Sequence, residues 1–266
     1  MAITLLLLAG TATLAVPVVL AQTYAVAANA VDQDGNPLSV AVRWAFGATS
    51  ATGTTPFNIT GLSGELVLTA PLSHNQSYTL YIFEYWTVNE TIYNTANIRF
   101  NVGSSKAIAH YARIFSVNKE LRECYTIDGP TKVPYEPNAV PNGTRVHFVM
   151  RITVHTYRSV ANIVVKDGIG ADLVLDGWVN STGDVGYVKP GKGKVGATVV
   201  TWNIRTMGEF SEHTLDLYVH TGLNPKDKQE YTSPGKHHLN DGPEAHLNHN
   251  MAEYTLNGPP IEITVV

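Results

Sequence analysis

The chain has 266 residues, with 18 Lys or Arg, 22 Asp or Glu, a net charge of −4 and only 15% charged side chains. Its 44% hydrophobic content is too high for a disordered chain, and its single cysteine excludes an internal disulfide framework. An acidic balance without a basic cluster excludes nucleic acid as a partner, because that binding depends on Lys and Arg neutralising phosphates.

No charge precedes Asp32, and Ile3–Leu20 is an apolar run with Pro17 near its end. Val19 and Ala21 stand where a signal peptidase reads, so residues 1–21 are expected to be a signal peptide. A retained anchor is the rival reading, since the uncharged run is long enough to span a bilayer. In that case the membrane is touched through this segment alone. After it Tyr24, Val26, Ala28 and Ala30 alternate up to the turn Asp32-Gln-Asp-Gly-Asn-Pro37, which predicts a strand. Asp32, Asp34 and Asn36 mimic the start of a calcium loop, but Pro37 and Arg43 stand where that loop needs Gly and Glu.

Alternation with period two continues along the chain. Val40, Val42, Trp44 and Phe46 form one series, and strands are predicted at 65–69, 77–88, 96–102 and 106–117. Residues 118–144 then carry Pro130, Pro134, Pro137 and Pro141 and break the rhythm. Beyond them Val146, Phe148, Met150, Ile152 and Val154 alternate, as do Leu215, Leu217 and Val219, and finally Ile261, Ile263 and Val265. The predicted fold is all-β: two tandem antiparallel Ig-like β-sandwich domains at 22–118 and 145–266, joined through a Pro-rich segment at 119–144.

Motifs of the second half lead to a family. Asn138-Ala-Val-Pro-Asn-Gly-Thr144-Arg-Val146-His-Phe148 reads as an opening strand, followed by Val160-Ala-Asn162-Ile-Val-Val-Lys-Asp167-Gly-Ile169. Val200-Thr-Trp202-Asn-Ile204-Arg-Thr-Met207-Gly208-Glu209-Phe-Ser211 then precedes Leu215, Leu217 and Val219. Together these resemble the conserved β-sandwich repeat of bacterial and archaeal surface proteins, the domain-of-unknown-function family numbered eleven. The resemblance covers residues 130–222 and departs from the family's ending, where this chain adds a further hairpin. The first half looks more faintly Ig-like. The resemblance implies an extracellular structural or adhesive role, with no catalytic residues to carry over. Some surface sandwiches also hold a Lys–Asn isopeptide bond promoted by a carboxylate. Lys132, Asp167 and Asn257 are the candidates for those parts.

Asn58, Asn75, Asn89, Asn142 and Asn180 begin glycosylation sequons, several at or beside predicted turns, so N-linked glycans are expected partners in an exported chain. His237, His238, His246 and His249 flank Asn240-Asp241-Gly242-Pro243, where a hairpin would bring imidazoles together around zinc or copper. The competing reading is a polar hairpin with outward histidines and no cofactor. Neither Gly-x-Ser-x-Gly nor His-Glu-x-x-His occurs, and no enzyme activity is expected. The expected protein is therefore a secreted cell-surface subunit, archaeal in type. It would assemble with its own copies or other surface subunits into a filament or envelope layer. The segment Gln22–Val31 would be the strand exchanged between subunits. The alternatives are an adhesin or carbohydrate-binding module using Tyr and Trp, and a metal-binding secreted protein using the histidines.

Overall fold

A computed structural model describes residues 22–266 except 104, 172, 190–196, 223–233 and 241, with residue 240 described by its backbone alone. The expected signal segment, 1–21, lies outside the described residues. Every regular element among the described residues is a strand. The first nine are β1 (Tyr24–Asp32), β2 (Ala41–Phe46), β3 (Thr49–Thr54), β4 (Phe57–Leu62), β5 (Glu65–Thr69), β6 (Ser73–Gln76), β7 (Thr79–Val88), β8 (Thr91–Tyr93) and β9 (Asn97–Asn101). The tenth, β10 (Ser105–Asp128), runs for 24 residues. There follow β11 (Thr131–Pro134), β12 (His147–Thr156), β13 (Val160–Ile169), β14 (Leu173–Asn180), β15 (Asp184–Val188) and β16 (Thr198–Met207). The last are β17 (Glu212–Thr221), β18 (Gly235–Asn240), β19 (Glu244–His249), β20 (Ala252–Asn257) and β21 (Ile261–Val265).

Three sheets result. A 10-stranded sheet has the order β14-β17-β12-β10-β1-β4, with β11 and β7 also on β10, and β6 and β8 on β7. A 4-stranded sheet, β3-β2-β5-β9, covers its first part, and a 7-stranded sheet built around β13 covers its second. The apolar side chains accordingly divide into two clusters. One joins Val26, Trp86 and Tyr111 to Val42, Leu66 and Leu68; the other joins Phe148, Ile152 and Leu217 to Ile163, Trp202 and Ile204. The buried indoles are satisfied: Trp86 Nε1 donates to the Ala96 carbonyl at 3.1 Å and Trp202 Nε1 to the Thr182 carbonyl at 2.7 Å.

The strand β10 belongs to both units. Its N-terminal part pairs with β7 and β1, and its C-terminal part with β12 and β11. Ala107, Ala109 and Tyr111 point into the first core, while Ala112, Ile114, Phe115 and Val117 point into the second. The inward phase changes where the pairing with β7 shifts register, between His110 and Tyr111 and again between Arg113 and Phe115. Such irregularities bend a strand and re-aim its side chains, which lets one strand serve two cores. Residues 119–128, expected as the start of a Pro-rich connection, are strand. The prolines cluster only beyond it, where residues 137–140 hydrogen-bond along the edge of β21.

Two further features escape local pattern. The strand β1 runs parallel to β10, an exception to the antiparallel expectation, and antiparallel to β4. The strand expected at 77–88 is β7 from Thr79 onward, and only its first two residues differ: Ser77 and Tyr78 take φ of 49° and 60° in the turn between β6 and β7. Asn89-Glu90 and Asn250-Met251 turn in the same way. Positive φ at both central residues is the geometry of a tight hairpin matching the twist of its strands.

Candidate functional site

Lys119 lies on β10 in the large sheet and Asp167 on β13 in the sheet opposite. Each occupies an inward position of its strand. Lys119 follows the buried Phe115 and Val117, and Asp167 follows the buried Ile163 and Val165. Their side chains are 0% and 1% exposed, and Lys119 Nζ donates to Asp167 Oδ2 at 2.5 Å. Burial pushes the lysine's pKa down, because a dry core disfavours the charged amine, and the facing carboxylate opposes that shift in part. The contact ties one layer to the other, because the lysine and the aspartate come from facing sheets and meet inside the core.

The trio expected for an isopeptide bond does not come together. Lys132 is more than half exposed; its Nζ pairs with Glu123 Oε2 at 2.8 Å and sits 4.2 Å from the Tyr125 ring centre. Asn257 is exposed at the end of β20, opposite Glu244. Asp167 alone is buried, and the amine it meets is that of Lys119. The signal was present in the sequence, as a lysine and an aspartate each in the inward phase of an alternating apolar series.

The four histidines expected as a metal centre are also separated. The strands carrying them, β18 and β19, both pair with β13, and among the described residues they do not pair with each other as the expected hairpin requires. His238 Nε2 faces Glu262 at 3.4 Å, His246 bonds to Glu244 and Thr255, and His249 Nδ1 bonds to the Ser159 carbonyl at 3.0 Å. His237, whose side chain is half-buried, lies opposite Ile263.

The sequons differ in how their amide nitrogens are used. Asn58 on β4 and Asn142 in a turn are exposed. Asn75 Nδ2 donates to the Thr255 carbonyl and Asn89 Nδ2 to Ser105 Oγ. Asn180 Nδ2 donates to the carbonyls of Thr182 at 2.7 Å and Gly183 at 3.0 Å.

Two other candidates resolve into structure. Trp86 and Trp202 are fully buried, and Trp44 and Trp178 pack against the two cores, so the tryptophans form no exposed platform for sugar rings. Asp32 accepts the backbone N–H groups of Asp34 and Asn36 and the Asn36 side-chain amide, closing the turn read as a false calcium loop. That turn docks on β10, where Gln33 Oε1 accepts the Arg113 N–H at 2.9 Å and both aspartates pair with the Arg113 guanidinium.

No family model matches the chain. An uncharacterized protein of Archaeoglobus fulgidus is 35% identical over 106 residues, which is 40% of this chain and 37% of that protein. The match thus spans little more than a third of the archaeal relative. Among solved structures, the full-length major pilin SpaD of Corynebacterium diphtheriae is similar at a TM-score of 0.48 and 9% identity, over 90% of this chain and 64% of that one. The major pilin subunit BcpA of Bacillus cereus gives 0.39 and 13%, over 92% and 69%. The pilus protein RrgB of Streptococcus pneumoniae gives 0.33 and 9%, over 89% and 49%.

Proposed function

We propose that this chain is a cell-surface structural subunit, built into an extracellular filament or envelope layer together with its own copies or other surface subunits. The observation that carries the reading is the buried Lys119–Asp167 contact on a strand shared by both units. A pull along β10 is passed between two cores through one uninterrupted backbone, and the buried pair holds the second unit's layers together where that strand enters. Such a design suits transmission of force. Assembly by exchange of Gln22–Val31 is not part of the proposal, because β1 already lies between β4 and β10 with Val26, Ala28 and Ala30 buried. Subunit contacts fall instead to edge strands such as β3, β9 and β15.

The same contact supports a covalent lock. Once it gives up its proton the Lys119 amine is a nucleophile, and burial eases that loss. Its nitrogen would bond to the carbonyl carbon of the Asp167 carboxyl as water leaves.

Negative-stain microscopy of the purified protein over a rising concentration series tests the function. Ordered filaments or sheets are expected. A particle that stays monomeric throughout, and is absent from the native envelope, overturns the reading.

A further inference from the structure

We infer that His147, Asp176 and His220 form a binding site for one divalent transition-metal ion, with zinc the ion their chemistry fits best. The three come from adjacent strands of the large sheet, β12, β14 and β17. His147 and His220 are directly opposite each other across the β12–β17 ladder. Both stand on the outer face, since their neighbours Phe148 and Val219 point into the core. Asp176 is the extra residue of a bulge, between the pairs Leu175–Val219 and Gly177–Tyr218. A bulge on an edge strand re-aims a side chain, and here it brings the carboxylate beside both imidazoles.

Asp176 Oδ1 lies 2.7 Å from His220 Nδ1, and Asp176 Oδ2 lies 3.8 Å from His147 Nδ1. One ligand atom from each residue falls within 4.8 Å of the others. Around a tetrahedral zinc with bonds of about 2.0–2.1 Å, ligand atoms stand about 3.4 Å apart, so closure needs side-chain shifts of only about 1 Å. Two imidazoles and a carboxylate are the donor set of zinc sites that keep a fourth position open. The side chains are 18%, 39% and 15% exposed, so an ion reaches them from solvent without disturbing the fold. Tyr125 stacks on the His147 ring at 5.4 Å and an interplanar angle of 12°, which fixes the orientation of that ligand. Bound metal would staple the edge strand β14 to β17 and β12.

Calorimetric titration of zinc chloride into the full chain tests the site. One equivalent is expected to bind. His147→Ala or His220→Ala should weaken binding at least about tenfold, because a lost ligand costs no less than a lost outer partner. The double variant His246→Ala/His249→Ala should bind as the parent does. Cobalt(II) in place of zinc should give the visible absorption of a tetrahedral ion, lost in the near-isosteric Asp176→Asn, which keeps the test valid if a histidine variant misfolds. Absence of binding, binding that survives both histidine changes, or a cobalt spectrum unchanged by Asp176→Asn overturns the inference.

Discussion

Lys119 and Asp167 meet at 2.5 Å between facing sheets although 48 residues separate them in the chain. Removing Lys119 takes away the cation that faces the buried Asp167 carboxylate. Lys119→Ala should therefore lower stability by about 3–5 kcal/mol, whereas Lys119→Met combined with Asp167→Leu should come out near neutral where the parent contact is an unlinked ion pair. Chemical denaturation of the three proteins checks both outcomes. Equal losses in the single and double variants would mean that packing volume, not charge, is what the site supplies.

A covalent lock is read by weighing the intact protein. The folded chain should be lighter than its sequence by one water, with the linked peptides containing Lys119 and Asp167. The Lys119→Ala variant should have its full mass, and Lys132→Ala should keep the deficit. A parent protein of full mass shows that the contact is an ion pair.

Glycan occupancy should follow how each asparagine amide is used. Asn58 and Asn142, exposed at a strand edge and a turn, are expected to be occupied when the chain is exported through a glycosylating pathway. Asn180 should remain bare, because its nitrogen donates to two carbonyls in the folded turn. Mass mapping of glycopeptides decides this; full occupancy at Asn180 with none at Asn58 would contradict it.

Cys124 should behave as an inert core residue. It is buried in the second cluster, and burial pushes its thiol up to about 11 from 9.0. Because the folded pKa is the higher one, the unfolded chain loses its proton first as pH rises. This residue's contribution to stability is thus complete below about 9 and falls away as pH climbs towards about 11. Subtracting the pH–stability curve of Cys124→Ala from that of the parent should isolate this decline. Iodoacetamide should label the native thiol only on unfolding.

Much of the fold was legible because strand formation is written locally. The alternation Glu65–Thr69 became β5 with the expected limits, and 96–102 became β9 with one residue trimmed at each end. The inward series Phe148, Met150, Ile152 and Val154 became the spine of the second core. The limits of 77–88 were missed because Ser77 and Tyr78 turn the chain without glycine or asparagine to announce it. The boundary at 118 was missed because the charges of Asn118-Lys-Glu-Leu-Arg-Glu123 hide a strand whose outer face is wet and whose inner face includes a lysine.

The candidate sites show where local reading stops. A period of two says which side chains share a face, and so it determined the all-β class and many of the strands. It carries no information about which strands become neighbours. That β1 lies parallel to β10, that Lys119 and not Lys132 faces Asp167, and that His147, Asp176 and His220 gather while His237 to His249 spread were decided by sheet order and by the packing of one layer on another. Those choices depend on burying two cores at once, a property of the whole chain and not of any segment of it.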